Sequence, residues 1–273
     1  METDVASSTS LETIEAWAAA YVLAPDIAYK LAPPKPPATF ETVPAPRPEI
    51  RPGRGASFNV SDHAHKSSGR SALRSPIARA RLIHTFLHHE LQAAELMAWA
   101  ILAFPSAPER LKRGLLGVLF DEVRHMNLYA ELLRERGYEP GGFEVRDWFW
   151  ERVPQAPSIE SFLATMGLGF EGANLDHAPS FAERFRAAGD ERAAEVEERI
   201  GQEEVPHVRF ALTWFLELSP LVRDGVPLFD AFASSLPAPL SPMLMRGKAI
   251  CRPMRARAGL TDDFVERLVT FGG

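Results

Sequence analysis

In three places an acidic side chain falls inside an apolar helical stripe of this 273-residue chain, and no other feature restricts its folding as strongly. Residues 121–125 read DEVRH and residues 203–207 read EEVPH, each an acid followed by Glu, Val, a variable residue and His. One Glu-x-x-His would mean nothing, because 8 histidines and 25 glutamates give about 0.7 such pairs by chance. Two that share the valine and the preceding acid are harder to attribute to chance. Around the first, Leu115, Val118, Leu119, Glu122, His125, Met126, Tyr129, Leu132 and Leu133 recur at i, i+3, i+4 and i+7 on one face. Ile83, Leu87, Glu90, Ala94, Met97 and Ile101 form an equivalent stripe, as do Ala164, Leu168, Glu171 and Leu175. With Glu204 and His207 of the second motif, four glutamates and two histidines are expected to face one core.

Such a cluster needs compensation, since a buried unpaired carboxylate costs on the order of several kcal/mol. Four carboxylates and two neutral imidazoles carry −4, and two divalent cations bring that to zero. The helix register agrees for the first hairpin. Glu90 and Glu122 each lie 16 residues from Ser106 and stand level across an antiparallel pair, whereas Glu95 falls about 7 Å away along the axis. Glu171 and Glu204 lie 18 and 15 residues from Gly189, a less even match, although the two separations, 32 and 33 residues, agree.

The same periodicity predicts four long helices over about 76–104, 108–136, 158–178 and 190–217, separated by Pro105, by Gly137 through Pro157 and by Pro179 through Gly189. Short connections make neighbours antiparallel, so an all-α four-helix bundle over 76–218 is the economical fold. Ahead of it, in 1–75, Thr9 and Glu12 have capping-box spacing and predict a helix from about Leu11 to Leu23. Nine prolines between Pro25 and Pro52 then predict an extended arm without packed structure, and 53–75 reads as loop. Residues 219–273 are expected to wrap the bundle and to end in a short helix capped by Thr261.

Composition narrows the class. Cys251 has no other cysteine to pair with, and the longest apolar run, Leu96 to Phe104, is nine residues where a membrane helix needs about 20. The N-terminus lacks the basic start of a secretion signal, and a formal charge of −6 provides no basic field for nucleic acid. These features imply a soluble, cytoplasmic protein with neither membrane nor nucleic acid as partner.

One Glu from each of two helices plus Glu-x-x-His from each of two others resembles the ligand set of ferritin-like di-iron carboxylate proteins. More narrowly, HHELQAAEL at 88–96, FEGANLD at 170–176, the stretch RAAGDERAAEVEERIGQEEVPHV ending at 208 and PMRARAGLTDDFVERL at 253–268 resemble a bacterial ferritin-like family catalogued mainly as a domain of unknown function. The likeness runs from about Thr9 to Leu268. It implies metal ligands at Glu90, Glu122, His125, Glu171, Glu204 and His207 and two iron ions, or manganese in their place. It also suggests that Asp121 accepts the free N–H of His207 and Glu203 that of His125, the alternative being ordinary surface acids. Pro206, inside the second motif, departs from the pattern and should kink or bulge its helix.

Other residues admit two readings. Glu95 and Asp176 each follow a proposed ligand by five residues and either support the site or pair with arginines. Tyr129, one heptad after Glu122, is a core packing residue or else a radical or hydrogen-bonding tyrosine of the site. His84, His88 and His89 read as hydrogen-bonded helix histidines before they read as ligands. The acid-free segment RGKAICRPMRAR, 246–257, is a solvated basic surface or a clamp in which Arg252 or Arg255 binds an anionic substrate. The expected function is a non-haem di-iron oxidase or oxygenase that uses O2 on a small organic substrate with an electron donor. A ferroxidase or a non-catalytic dimetal bundle are the alternatives, and a homodimer is compatible with either.

Overall fold

The computed structural model describes residues 11–55, 58–61 and 73–272, and among them no strand forms beyond an isolated bridge between Val60 and Val145. The fold is all-α. Helices α1 (Ile14–Leu23) and α2 (Ile27–Leu31) precede the two long helices α3 (Pro76–Ala103) and α4 (Glu109–Glu135). A third long helix consists of α5 (Ile159–Phe162), a π-helical run (Leu163–Glu171) and α6 (Gly172–Ala187), and α7 (Glu191–Leu218) is the fourth. The chain closes with α8 (Pro220–Arg223), α9 (Leu228–Ser235), α10 (Arg252–Arg257) and α11 (Asp262–Thr270). Helix α3 packs along α4, α6 along α7, and α7 also meets α4 and the π-helical run, so the four long helices enclose one core.

The third helix departs from expectation. Pro179 does not end it but sits inside α6, which continues to Ala187. Its irregularity comes earlier, where nine residues form i→i+5 bonds, including Gly172 N–H to the Gly167 carbonyl. Glycine is required there by close approach, because a Cβ on Gly167 would lie 2.1 Å from the Ala211 Cβ on α7. The bulge expected at Pro206 is not found: α7 is α-helical from Glu191 to Leu218. Pro206 and Gln202 are both exposed, so the Gln202 carbonyl that loses its helical bond faces solvent.

The proline-rich arm is packed rather than free. A polyproline backbone makes no hydrogen bonds with itself, which leaves its carbonyls to accept from the bundle. Trp17 Nε1 donates to the Pro34 carbonyl (2.8 Å), Asn127 to that of Leu31 (2.8 Å) and Arg113 to that of Ala38 (2.9 Å). The cap of α1 is Thr13, whose hydroxyl accepts from Ala16 N–H; Thr9 lies outside the described residues. At the other end Thr261 caps α11 as expected, accepting from Phe264 N–H. Phe229, Phe232 and Phe264 of this C-terminal extension belong to the same continuous apolar core as Trp17 of α1 and Trp99 of α3.

Candidate metal centre

Each long helix delivers one carboxylate to the middle of the core. Glu90 (α3), Glu122 (α4), Glu171 (the last π-helical residue) and Glu204 (α7) are all buried, and so are His125 and His207. They form two overlapping groups. One is Glu90, Glu122, His125 and Glu204; the other is Glu122, Glu171, Glu204 and His207; in each, one ligand atom per residue lies within 4.8 Å of the others. The six residues singled out in the sequence are therefore the six the fold brings together, with Glu122 and Glu204 shared as bridging carboxylates would be.

Both imidazoles are aimed alike. His125 Nδ1 faces Glu122 Oε2 at 3.3 Å and Glu204 Oε1 at 3.4 Å, while His207 Nδ1 faces Glu204 Oε2 at 2.9 Å and Glu122 Oε1 at 3.1 Å. On the outer side, Nε2 of His125 meets Glu203 Oε2 at 3.0 Å and Nε2 of His207 meets Asp121 Oδ2 at 3.1 Å. A carboxylate accepting at Nε2 keeps a proton there, so that an imidazole that gave up its Nδ1 proton to a cation would present the Nδ1 lone pair inward. Arg124 joins the two outer acids, reaching Asp121 Oδ1 at 2.5 Å and Glu203 Oε2 at 2.8 Å. Sequence reasoning missed it, although it stands inside the first motif where the second has Pro206.

The electrostatics are those of carboxylates crowded together out of water, which a cation could relieve. Burial, then repulsion from Glu122, pushes the Glu90 carboxyl well above the usual range, and burial with repulsion from Glu204 does the same to Glu171. Burial opposes ionisation of Glu122 as well, but the imidazoles of His125 and His207 beside it hold it well below the ordinary value. His207 is disfavoured as a cation by burial yet raised well above its ordinary value by Glu204, Asp121 and Glu122. Glu122 Oε1 and Glu204 Oε1 are buried without a hydrogen bond of acceptable geometry, even though imidazole nitrogens stand close to both. Orphaned buried carboxylate oxygens are costly, and a hard divalent cation among oxygen and imidazole donors would satisfy them.

Residues 9–266 match the family described as "Protein of unknown function (DUF455)". The chain belongs to that family. A relative described as an uncharacterized protein of Haemophilus influenzae is 30% identical over 165 residues, 58% of this chain and 57% of its own length, so the chain spans little more than half of that relative. No solved structure matches.

Beside the six residues this DUF455 chain holds a cavity of about 420 Å³ that borders Glu90 and Glu171. Its walls come from all four long helices, from Trp148 and Phe149 of the 137–157 connection and from Leu244 of the extension. Tyr129 lines it, buried, and donates to Glu197 Oε1 at 2.8 Å. Burial pushes the Glu197 carboxyl up to about 8, the Tyr129 hydrogen bond only partly offsetting this. Glu197 was not foreseen, though it lies one heptad before Glu204 as Tyr129 lies one heptad after Glu122.

Several sequence expectations are corrected here. Glu95 does not support the metal groups: it is fully buried in a separate network, bound to Lys30 Nζ (2.7 Å), Arg54 (2.6 and 2.8 Å) and Trp150 Nε1 (2.8 Å). Asp176 is likewise an arginine partner, with Arg255 at 3.0 and 2.7 Å and the backbone N–H groups of Gly247 and Cys251 at 2.9 and 2.8 Å. Arg255 is thus fully buried and already paired, and Arg252 pairs with Glu266 at 2.8 Å. Neither borders the cavity, so the anion clamp fails. Of the extra histidines, His84 accepts from Gly141 N–H and His88 meets Asp147, while His89 lines the cavity, stacked on Phe149. No helix among the described residues is long and apolar enough to cross a membrane.

Proposed function

We propose that this chain is a ferritin-like di-iron carboxylate protein that uses O2 to oxidise a small organic substrate. The observation that carries the proposal is the paired geometry of the two groups: each imidazole presents Nδ1 inward and is held at Nε2 by an outer carboxylate. Glu90, Glu122, His125, Glu171, Glu204 and His207 would hold two metal ions, iron or, on the same donor chemistry, manganese. Bound iron would supply the one-electron chemistry that O2 activation requires and that no side chain here provides.

The chain's own residues do the rest. Asp121 and Glu203, tied by Arg124, keep both imidazoles in one tautomer. The Glu90 and Glu171 side of the cluster faces the cavity, so a substrate held there lies next to the metals while aromatic walls exclude water. Glu197, protonated at neutral pH, keeps a proton available beside that space and positions the Tyr129 hydroxyl. Insertion of one oxygen atom consumes a substrate C–H bond, O2, two electrons and two protons and yields an alcohol and water. A two-electron donor, a reduced electron-transfer protein or a small reductant, is therefore a required partner.

An apolar-walled cavity against the site favours an organic substrate over iron handling, which needs a polar path for hydrated cations. Protein expressed with iron should carry two metal ions per chain, and the reduced form should consume O2 and give an oxidised organic product when a donor is supplied. Metal at trace level after careful reconstitution would sink the reading. Sustained oxidation of excess Fe(II), with mineral held in a large hollow assembly, would replace it by iron handling.

A further inference from the structure

The cavity beside the metal groups is chemically lopsided. Its 420 Å³ is room for a ligand of about two fused rings. None of its lining residues is Lys or Arg, and its polar groups apart from the carboxylates are Thr85, His89, Tyr129, Asn174 and His177. The remaining wall is largely aromatic and arranged in two clusters. Phe149 and Phe170 stack with ring centroids 4.8 Å apart and planes 8° from parallel, and His89 lies against the other partner of that stack, 5.1 Å from Phe149. Phe86 meets Phe181 edge-on at 4.8 Å and Tyr129 at 5.7 Å.

Such a wall discriminates by charge and by shape. An anionic substrate brought into it leaves water without meeting a Lys or Arg side chain and faces the carboxyl groups of Glu90, Glu171 and Glu197, a cost of several kcal/mol in a largely apolar space. A flat neutral ring loses little solvation and gains offset-stacked and edge-to-face contacts beyond what its buried area supplies. A long alkyl chain gains area but not those contacts.

We propose that the substrate of this site is an uncharged aromatic compound of about two rings, held by Phe149, Phe170, Phe86 and Phe181 with its reacting carbon toward Glu90 and Glu171. The substrate class deepens the oxidase reading and rests on it for the reaction, though the recognition belongs to the cavity itself. Phe149 is the discriminating residue. It comes from the 137–157 connection rather than from a helix, and the neighbouring Asp147 anchors that segment to Arg54 (2.9 Å) and His88 (3.0 Å).

The test uses the full chain, metal-free and iron-loaded, titrated with three probes by calorimetry: 2-naphthalenemethanol, its anionic isostere 2-naphthoate, and 1-decanol. The neutral aromatic alcohol is expected to bind both forms at least tenfold more tightly than either other probe. Phe149→Leu, which keeps apolar volume but removes the stack, should weaken it about tenfold with unchanged metal content and helix signal, and Phe170→Leu should do the same. Equal or tighter binding of naphthoate or decanol, no binding of the alcohol to either form, or unchanged affinity in both variants would overturn the proposal. Failure of the oxidase reading shows separately: a chain that takes up no metal but binds the alcohol keeps the aromatic pocket and loses the reaction. A chain that loads two metals, consumes O2 and ignores the alcohol loses only the substrate class.

Discussion

Glu90 and Glu95 are both buried acids of α3, one turn and a half apart, yet their partners give them opposite energetic signs. Glu95 faces two cations, Lys30 and Arg54, and although burial raises its carboxyl pKa their combined attraction leaves it below the ordinary value. Glu90 faces other carboxylates. Glu95→Ala should therefore leave the buried Lys30 without a carboxylate partner and Arg54 with Asp147 alone, and cost ~3–5 kcal/mol of stability while keeping the metal stoichiometry. Glu90→Ala should lose a metal ion and stabilise the metal-free protein by relieving repulsion. Denaturant titration with elemental analysis checks both; a Glu95→Ala protein short of metal beside a Glu90→Ala protein that keeps two would reverse the assignment. Glu197 gives a pH signature. Its folded pKa, about 8, stands above the unfolded value near 4.5, so the folded state binds the extra proton between them. The stability that proton confers is complete below about pH 4.5 and is lost as pH rises through about 8. Glu197→Gln should accordingly flatten the stability profile of the metal-free protein between pH 5 and 9 and exceed the parent at pH 9. A parallel profile for both proteins would show that Glu197 ionises normally.

Among the elements, the stripes of α3 and α4 could be read in the sequence because α-periodicity and burial coincide there. Glu90, Glu122 and His125 interrupt runs of Leu, Val and Met at helical spacing, and a buried acid in such a run has few explanations, while Glu204 and His207 were legible from the repeated motif. The third helix was less legible. Its π-helical run depends on glycines whose role is set by Ala211 and Met245, residues far away in sequence. Pro206 misled for the opposite reason, since a proline's cost depends on whether the carbonyl it frees reaches water, which only the packed face decides. The buried pairs Glu95–Arg54 and Asp176–Arg255 span 41 and 79 residues, and no local pattern announces a partner at that distance. Gly167 tests the third helix directly. Gly167→Val would force side-chain atoms into the 2.1 Å approach to Ala211, beside the space lined by Glu171 and His207. The expected result is a loss of ~1–3 kcal/mol and weaker binding at the Glu171 and His207 group first, seen as one retained metal per chain. Two metals at parental affinity would show that the run gives way without moving Glu171.

Across the whole molecule the arm, the four long helices and the C-terminal extension share one apolar core, and the candidate metal groups lie where those four helices meet. A ligand bound there would report on the fold as a unit, because removing it leaves four buried carboxylates facing one another where the four long helices meet. Metal binding in hundredfold excess over its dissociation constant adds ~2.7 kcal/mol per independent site. For a chain of this size each kcal/mol raises the melting temperature by about 2–4 °C, so loading should raise it by about 5–10 °C for each site filled to that degree. The gain must depend on pH. Ligands bind metal only when deprotonated, and burial raises the pKa of Glu90 and Glu171, so loading displaces protons and weakens as pH falls. Thermal melts with iron or manganese against chelator are expected to show one cooperative transition, with a shift at pH 7.5 that shrinks sharply at pH 5.5. A second transition would mean that arm or extension unfolds independently of the bundle, and an equal shift at both pH values would place the stabilising metal somewhere other than among these carboxylates.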